Sequence, residues 1–204
     1  MSYPKQIIGL VGKKGAGKDA SASVLVSKCG FRPLAFADPL REVVQKLFFL
    51  SPEHLDGPGK ESPGPLGVSY RRGMQVVGTD FVRKQMKDLI PEMAVQDGEF
   101  WVEHARRTLM QMADEGVQRV VFTDVRFPNE ARAIVEMGGQ LVHVVPSPER
   151  LAAFYTKNGW VPEDTHASET GVDDILCQFD CTELDNSGSL ESLEGEVLKI
   201  FRGP

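Results

Sequence analysis

Residues Gly12 to Lys18 read GKKGAGK, and this stretch decides the predicted fold. The apolar run Ile7–Val11 before it predicts a short buried strand, and Asp19–Lys28 after it predicts a helix that ends at Gly30. A G-x-x-x-x-G-K turn between a strand and a helix is typical of a phosphate-binding loop. Its glycines let backbone amides point inward, and the helix N-terminus adds positive potential.

Asp19 stands where such a loop usually carries a serine or threonine, and Ala20 follows it. Mg2+ is commonly held by few protein oxygens and several waters, so Asp19 is predicted to help hold Mg2+; capping of the following helix is the alternative. Lys18 is expected to reach the outer phosphates of a nucleotide. The residues predicted to bind the donor nucleotide are Gly12, Lys14, Gly15, Ala16, Gly17, Lys18, Asp19 and Ala20.

Strand and helix patterns alternate along the rest of the chain. The further expected strands are Arg32–Ala37, Arg119–Thr123, Leu141–Val145 and Phe179–Leu184. This alternation predicts an α/β fold in which a parallel sheet is covered by helices on both faces. Ligands of such sheets bind beyond the carboxyl ends of the strands. Residues 1–204 are predicted to form a single domain, with residues 51–70, rich in proline and glycine, as a mobile substrate-side loop.

The composition limits the function classes. A net charge of −6 argues against a generally basic, nucleic-acid-binding surface. No apolar run is long enough for a membrane span, and no signal-peptide pattern precedes the first strand. The three cysteines cannot all pair within the chain, which favours reduced thiols and a cytoplasmic location.

Several motifs occur in a fixed order: GKKGAGKD, FADPLR, RRGMQVVGTDFVR, FW, TDVRFPNE, HASE and NSGSLESL. With them the chain resembles the phage-type deoxynucleoside monophosphate kinases over roughly Ile7 to Leu198. The resemblance implies transfer of the ATP γ-phosphoryl group to a deoxynucleoside monophosphate with Mg2+, in the host cytoplasm for a phage protein. It also implies a P-loop kinase three-layer sandwich, often a homodimer, with a small lid at residues 149–171. The family commonly has Thr after GKD, and Ala20 departs from that pattern.

The acceptor side is predicted from the other motifs. Asp38 is expected to orient the acceptor phosphate or a metal-bound water, or else to cap the helix that Pro39 opens. Arginine forks match phosphate oxygens, which favours Arg41, Arg72 and Arg83 as acceptor contacts. Gly78 fits either a ligand lying against it or tight helix packing, and Trp101 fits either base stacking or a core position.

The sharpest acceptor signal is TDVRFPNE. Asp124 at a strand end is predicted as a second Mg2+-organising acid, Arg126 as a phosphate contact, and Asn129 and Glu130 as contacts to a base edge. The residues expected to act on the reacting phosphates are Lys13, Lys18, Asp38 and Arg126. The residues expected to bind the acceptor are Lys13, Phe36, Ala37, Asp38, Arg41, Arg72, Gln75, Gly78, Thr79, Arg83, Trp101, Asp124, Arg126, Asn129, Glu130 and His166.

Two other readings of the sequence stay open. One is a P-loop kinase for a different acceptor, such as a phosphomevalonate-like small molecule or a modified base in DNA. The other is a nucleotide-binding module that does not turn over. The second basic pocket argues against a module, because a nucleotide sensor has no need of an acceptor site.

Overall fold

The computed structural model describes residues 3–55, 57–95, 98–158 and 167–201. The chain divides into two compact units, Met1–Ala35 with Arg106–Pro204 and Phe36–Ala105, which we call unit 1 and unit 2. The single domain expected over residues 1–204 stays a prediction beside this division.

Unit 1 contains a five-stranded parallel sheet with the strand order β2-β3-β1-β4-β5. Because β1 is central, the loop that follows it leaves from the middle of the carboxyl edge of the sheet. The strands are β1 (Gln6–Val11), β2 (Arg32–Leu34), β3 (Arg119–Val125), β4 (Gln140–Pro146) and β5 (Cys181–Asn186). The predicted α/β fold with a parallel sheet is confirmed.

The helices alternate with these strands. The α-helices of the described residues are α1 (Lys18–Cys29), α2 (Asp38–Leu47), α3 (Tyr70–Gln75), α4 (Met86–Leu89), α5 (Phe100–Asp114), α6 (Pro128–Glu136), α7 (Pro148–Asn158), α8 (Ala167–Gln178) and α9 (Leu190–Phe201).

Helices cover both faces of the sheet because side chains alternate along each strand. Ile8 and Leu10 of β1 join a buried cluster with Leu25 of α1 and Val197 of α9. On the other face, Gly9 leaves room for α6: a Cβ added there would lie 2.6 Å from Cδ1 of Ile134. The three-layer arrangement therefore follows from the alternation of β1.

Unit 2 has its own apolar cluster, built from α2, α3 and the start of α5. Leu40, Val44, Leu50, Tyr70 and Trp101 are its buried members. The helical spacing of Leu40, Val43, Val44 and Leu47 in the sequence predicts one apolar stripe on α2, but Val43 and Leu47 are 49% and 54% exposed. Leu40 and Val44 lie four residues apart on one side of α2, and this side faces the cluster.

The RRGMQVVGTDFVR motif is not a plain α-helix. α3 ends at Gln75 and continues as a π-helix over Val76–Arg83. The expected loop at residues 51–70 contains two 3-10 helices, Pro52–His54 and Gly57–Glu61, and a bridge between Pro63 and Ser69. Its mobility stays a prediction.

Two predictions about elements were wrong. The second strand ends at Leu34 and not at Ala37, so FADPLR begins outside the sheet. The polar sequence of Val161–Gly171 predicts an irregular segment, yet α8 runs from Ala167 to Gln178. Among the described residues, no helix combines the length and the apolar character that crossing a bilayer requires.

Candidate active site

The loop after β1 is closed on itself by Lys18. The Nζ of Lys18 donates to the carbonyl of Gly12 at 2.6 Å and to that of Lys13 at 3.2 Å. A turn bond from the amide of Ala16 to the carbonyl of Lys13 (3.0 Å) completes the ring. The ammonium group therefore lies across the mouth of the loop. If an anion binds there, Lys18 can donate to the oxygens of the anion in place of the loop carbonyls.

Two glycines of the loop have conformations and surroundings that a side chain would disturb. Gly15 has a φ of 83° and Gly17 a φ of 99°, values that favour glycine. A Cβ on Gly15 would lie 2.3 Å from the ring of Phe154 in α7, and one on Gly17 would lie 2.0 Å from Nδ2 of Asn186. The loop is thus packed between α7 and the end of β5.

Asn186 bonds directly to the loop. Its Nδ2 donates to the carbonyl of Ala16 at 2.7 Å, and its Oδ1 accepts from Nη1 of Arg150 at 3.0 Å. Nothing in the local pattern around Asn186 indicates a contact 170 residues away in the chain.

Asp19 lies in the first turn of α1 and is exposed. Gly17 is the N-cap of α1 and Asp19 is the acidic residue of its first turn, where negative charge is favoured, so the capping alternative stays open beside the Mg2+ role. Ala20 packs against the core cluster. The hydroxyl of Ser21 is buried and donates to the carbonyl of Gly17 at 3.1 Å, so it does not replace the missing threonine.

Asp124 and Arg126 reach the same edge of the sheet as the loop. Val11, the last residue of β1, pairs with Val125, so Asp124 lies one residue before the level at which the loop begins. Asp124 is 7% exposed. Arg126 follows the strand directly and is partly exposed, as is Asn129. The structure therefore brings the predicted donor loop together with TDVRFPNE.

Glu130 has a structural role in the turn that follows β3. Its carboxylate is 2% exposed and accepts from the backbone amides of Arg126 at 2.9 Å and Phe127 at 3.2 Å. These bonds cap the start of α6, where negative charge is favoured. Glu130 shapes the turn that presents Arg126, and its predicted contact to a base edge stays a prediction.

α8 touches both sides of this edge. Asp173 of α8 forms an ion pair with Lys13 of the loop at 3.1 Å, with both side chains about half exposed. Gly171 lies against the turn after β3, which we call the acceptor turn, since a Cβ on Gly171 would lie 2.2 Å from the carbonyl oxygen of Arg126. The sequence did not indicate either contact, because the helix itself was not predicted.

His143 of β4 lies within electrostatic range of Lys13 and Asp173. Burial lowers the pKa of His143 below its ordinary value and Lys13 adds to the effect, while Glu183 and Asp173 act in the opposite direction. The imidazole is therefore neutral at pH 7. Of this group, Lys13 supplies the positive charge beside the loop.

The other predicted acceptor residues lie in unit 2. Asp38 and Arg41 pair within α2 at 3.5 Å, and Arg83 donates to the carbonyl of Gly98 at 3.3 Å. Asp38 is the first residue of α2, whose N-cap is Ala37, so it lies in the first turn of the helix and not at its cap position. Other members of the set differ in exposure: Phe36 is buried, Arg72 is exposed, and Gln75 and Thr79 are half-buried.

Packing accounts for the two ambiguous residues of unit 2. A Cβ on Gly78 would lie 2.3 Å from Cδ2 of Leu40, which favours close helix packing over an approaching ligand. Trp101 is 6% exposed, and its indole N–H donates to the carbonyl of Gly78 at 3.1 Å. The structure thus supports the core alternative for Trp101. His166 lies outside the described residues, as do residues 159–166 of the expected lid.

The donor set at the sheet edge suits Mg2+ better than a metal that needs several protein ligands. Within the described ranges, no three His, Cys, Asp or Glu side chains form a metal-binding group. Mg2+ is usually held by one or two carboxylates together with phosphates and waters. Asp19 and Asp124 provide carboxylates of that kind near the loop.

Comparisons with known proteins give the family. A family model described as "Deoxynucleotide monophosphate kinase" matches residues 66–197. The "Putative deoxynucleotide monophosphate kinase" of Acanthamoeba polyphaga mimivirus is 32% identical over 199 residues, with 94% of this chain and 94% of that protein covered. The crystal structure of TT1252 from Thermus thermophilus is similar in fold, with a TM-score of 0.54, 21% identity, and coverage of 99% of this chain and 100% of that chain. The chain belongs to the deoxynucleotide monophosphate kinase family.

Proposed function

We propose that the chain, a phosphotransferase and a deoxynucleotide monophosphate kinase by family, holds the polyphosphate of ATP in the loop after β1. It then transfers the γ-phosphoryl group to a deoxynucleoside monophosphate. The observation that carries the proposal is the position of Lys18, whose ammonium group donates to the loop carbonyls of Gly12 and Lys13. It does so at the sheet edge that also carries Asp124 and Arg126.

The reaction needs positioning and charge neutralisation more than a base. An oxygen of the acceptor phosphate attacks the γ-phosphorus, the bond from that phosphorus to the β,γ-bridging oxygen breaks, and ADP leaves. The attacking oxygen is already anionic near neutral pH, so no protein group has to remove a proton. Lys18 exchanges loop carbonyls for phosphate oxygens, and Lys13 and Arg126 offset the charge of the two phosphate chains.

Mg2+ fits the carboxylates of Asp19 and Asp124. When bound, the ion would supply positive charge to the phosphate chain. Asp19 lies in the first turn of α1, immediately after Lys18, at the helix N-terminus that the loop leads into.

The acceptor is proposed to be held through its phosphate by Arg126, with Asn129 offering amide groups to the base. Both lie on the turn that Glu130 braces from within. In unit 2, the arginines at positions 41, 72 and 83 and the side chains of Asp38, Gln75 and Thr79 stay predicted acceptor contacts. Each is tested by its own substitution.

The experiment is a coupled assay of ADP release with a panel of acceptors. It includes each deoxynucleoside monophosphate, the matching ribonucleotides, phosphomevalonate, a DNA duplex and a control without acceptor. We expect turnover with at least one deoxynucleoside monophosphate and the formation of its diphosphate. Turnover with phosphomevalonate or DNA alone, or ATP binding without turnover, would contradict the proposal in favour of one of the two alternatives.

The remaining partners are proposed from the family and from the charge. We propose a cytoplasmic enzyme that does not bind nucleic acid, in line with the net charge of −6. A homodimer is proposed from the family resemblance. Light scattering on the purified protein decides this, since a mass near 22.5 kDa at micromolar concentration would contradict the dimer.

A further inference from the structure

Asn186, the last residue of β5, is a buried polar side chain with both ends of its amide engaged. It is 1% exposed, donates to the carbonyl of Ala16 at 2.7 Å and accepts from Arg150 at 3.0 Å. A buried amide is costly unless its groups are bonded, so a fully engaged one holds its neighbours in one arrangement. The neighbours here are the phosphate loop and α7.

Arg150 determines which way the amide faces. An arginine can only donate, so the amide atom that it meets must be the oxygen, and the NH2 group is left to face Ala16. Arg150 is itself fixed, since the same Nη1 also donates to the carbonyls of Asn186 at 3.3 Å and Gly188 at 2.8 Å. The bond to the loop therefore depends on the anchoring of Arg150.

The loop has a specific need for such a bond. The peptide unit between Ala16 and Gly17 precedes a glycine, which adopts both signs of φ readily, so this unit is free to rotate in isolation. In a trans peptide the C=O and N–H point in opposite directions. Fixing the carbonyl of Ala16 therefore fixes the direction of the N–H of Gly17, one of the loop amides available to a phosphate.

We propose that Asn186 is a positioning residue for the phosphate-binding loop, and that Arg150 holds its amide in the working orientation. The inference rests on the proposed function, because it takes the loop to bind the polyphosphate of ATP. Preorganised donors aid binding and transfer because they do not have to be reoriented when the anion arrives.

The sharpest variant is Asn186→Asp, which keeps the size and the acceptor for Arg150 but removes the donor to Ala16. We expect the Kd and the KM for ATP to rise about 10-fold, the magnitude of one hydrogen bond together with an unfavourable oxygen–oxygen contact. The KM for the acceptor should stay within 2-fold. In the protein without nucleotide, amide hydrogen exchange of Gly17, followed by NMR, should become faster.

Arg150→Met is the second variant, and it keeps the proposal testable if Asn186→Asp folds poorly. It retains most of the side-chain stem and removes the group that orients the amide. We expect the KM for ATP to rise about 3-fold, with little added effect in the double variant, because both residues act through one bond. Thr182→Ala, an exposed position on the same strand, is the matched control and should match wild type.

The outcomes separate this inference from the proposed function. Wild-type protein that binds no ATP would overturn both. Wild-type protein that binds ATP, with both variants within 2-fold of it, would overturn the positioning role alone. A fall in thermal stability with equal rises in the KM of both substrates would also overturn it, since it would mark a purely structural residue. A fall in kcat at an unchanged KM for ATP in Arg150→Met would overturn the proposed role of Arg150 in orienting the amide of Asn186.

Discussion

At the scale of single residues, the donor loop depends on contacts made at its two ends. Lys18 closes the mouth through the carbonyls of Gly12 and Lys13, while Asn186 holds the carbonyl of Ala16. The glycine at position 17 is required twice, for its φ of 99° and for the space that Asn186 occupies. Backbone conformation and side-chain packing thus select the same residue.

Gly17→Ala separates those two requirements when it is compared with Gly116→Ala. Gly116 has a similar φ of 86° but nothing within 4 Å of an added Cβ. Both variants should lose about 1–2 kcal/mol of unfolding free energy from the left-handed backbone. Only Gly17→Ala should also lose ATP affinity, by 10-fold or more in a calorimetric titration. Equal ATP affinities in the two variants would contradict the role of the Gly17–Asn186 contact.

Arg126→Ala tests the acceptor assignment. Loss of a guanidinium that binds the acceptor phosphate should raise the acceptor KM or lower kcat/KM by about 10- to 100-fold, the magnitude of a charged hydrogen bond. The KM for ATP should change little. Steady-state kinetics with each substrate varied in turn makes the distinction, and unchanged acceptor kinetics would show that the pocket assignment is wrong.

At the scale of elements, α6 and α8 shape the carboxyl edge of the sheet. α6 begins with a capping arrangement in which Glu130 bonds the amides of Arg126 and Phe127. α8 meets the loop through Asp173 and the acceptor turn through Gly171. The positions of the turns after β1 and β3 therefore depend on helices that bear no predicted catalytic residue.

Glu130→Ala should destabilise the protein through the start of α6. Two backbone amides lose their acceptor, which we expect to cost about 2 kcal/mol of unfolding free energy. Arg132→Ala, at an exposed position of the same helix, is the control and should stay within about 0.5 kcal/mol of wild type. Urea unfolding measures both, and equal stabilities would contradict the capping role.

Asp173→Asn should strengthen ATP binding. The ion pair with Lys13 is half exposed and worth little to stability, but its carboxylate competes with phosphates for the same ammonium group. We expect the KM for ATP to fall about 2- to 3-fold, with a smaller difference at high salt. Asp174→Asn, the exposed neighbour in α8, serves as the control; equal KM values for the two variants would contradict the competition.

At the scale of the whole molecule, local patterns predicted the sheet and the donor loop. β1 is a continuous apolar run, and the glycine motif sits in the strand-to-helix context that gives it meaning. The role of Glu130 could partly be predicted, since a glutamate three residues after an N-cap is a known capping pattern. Asp124 and Arg126 were found because strand ends in parallel sheets meet at one edge.

What the sequence missed depends on contacts between distant segments. The polar sequence up to Gly171 did not predict α8, and Gly171 lies where α8 approaches the carbonyl of Arg126. Asn186 and Asp173 gain their roles only when β5 and α8 are placed beside the loop. The sequence was compatible with either base stacking or a core position for Trp101, and its buried hydrogen bond to the carbonyl of Gly78 favours the core position.

The central claim is that the loop after β1 holds the phosphates of ATP, and calorimetric titration with Mg-ATP tests it most directly. Wild-type protein should bind ATP, and Lys18→Ala should bind it about 10- to 100-fold more weakly, because a charge-assisted bond to phosphate is lost. Lys28→Ala, at the far end of the same helix, should bind as wild type does. Equal ATP affinity in Lys18→Ala and wild type, or no uptake by wild type, would contradict the account.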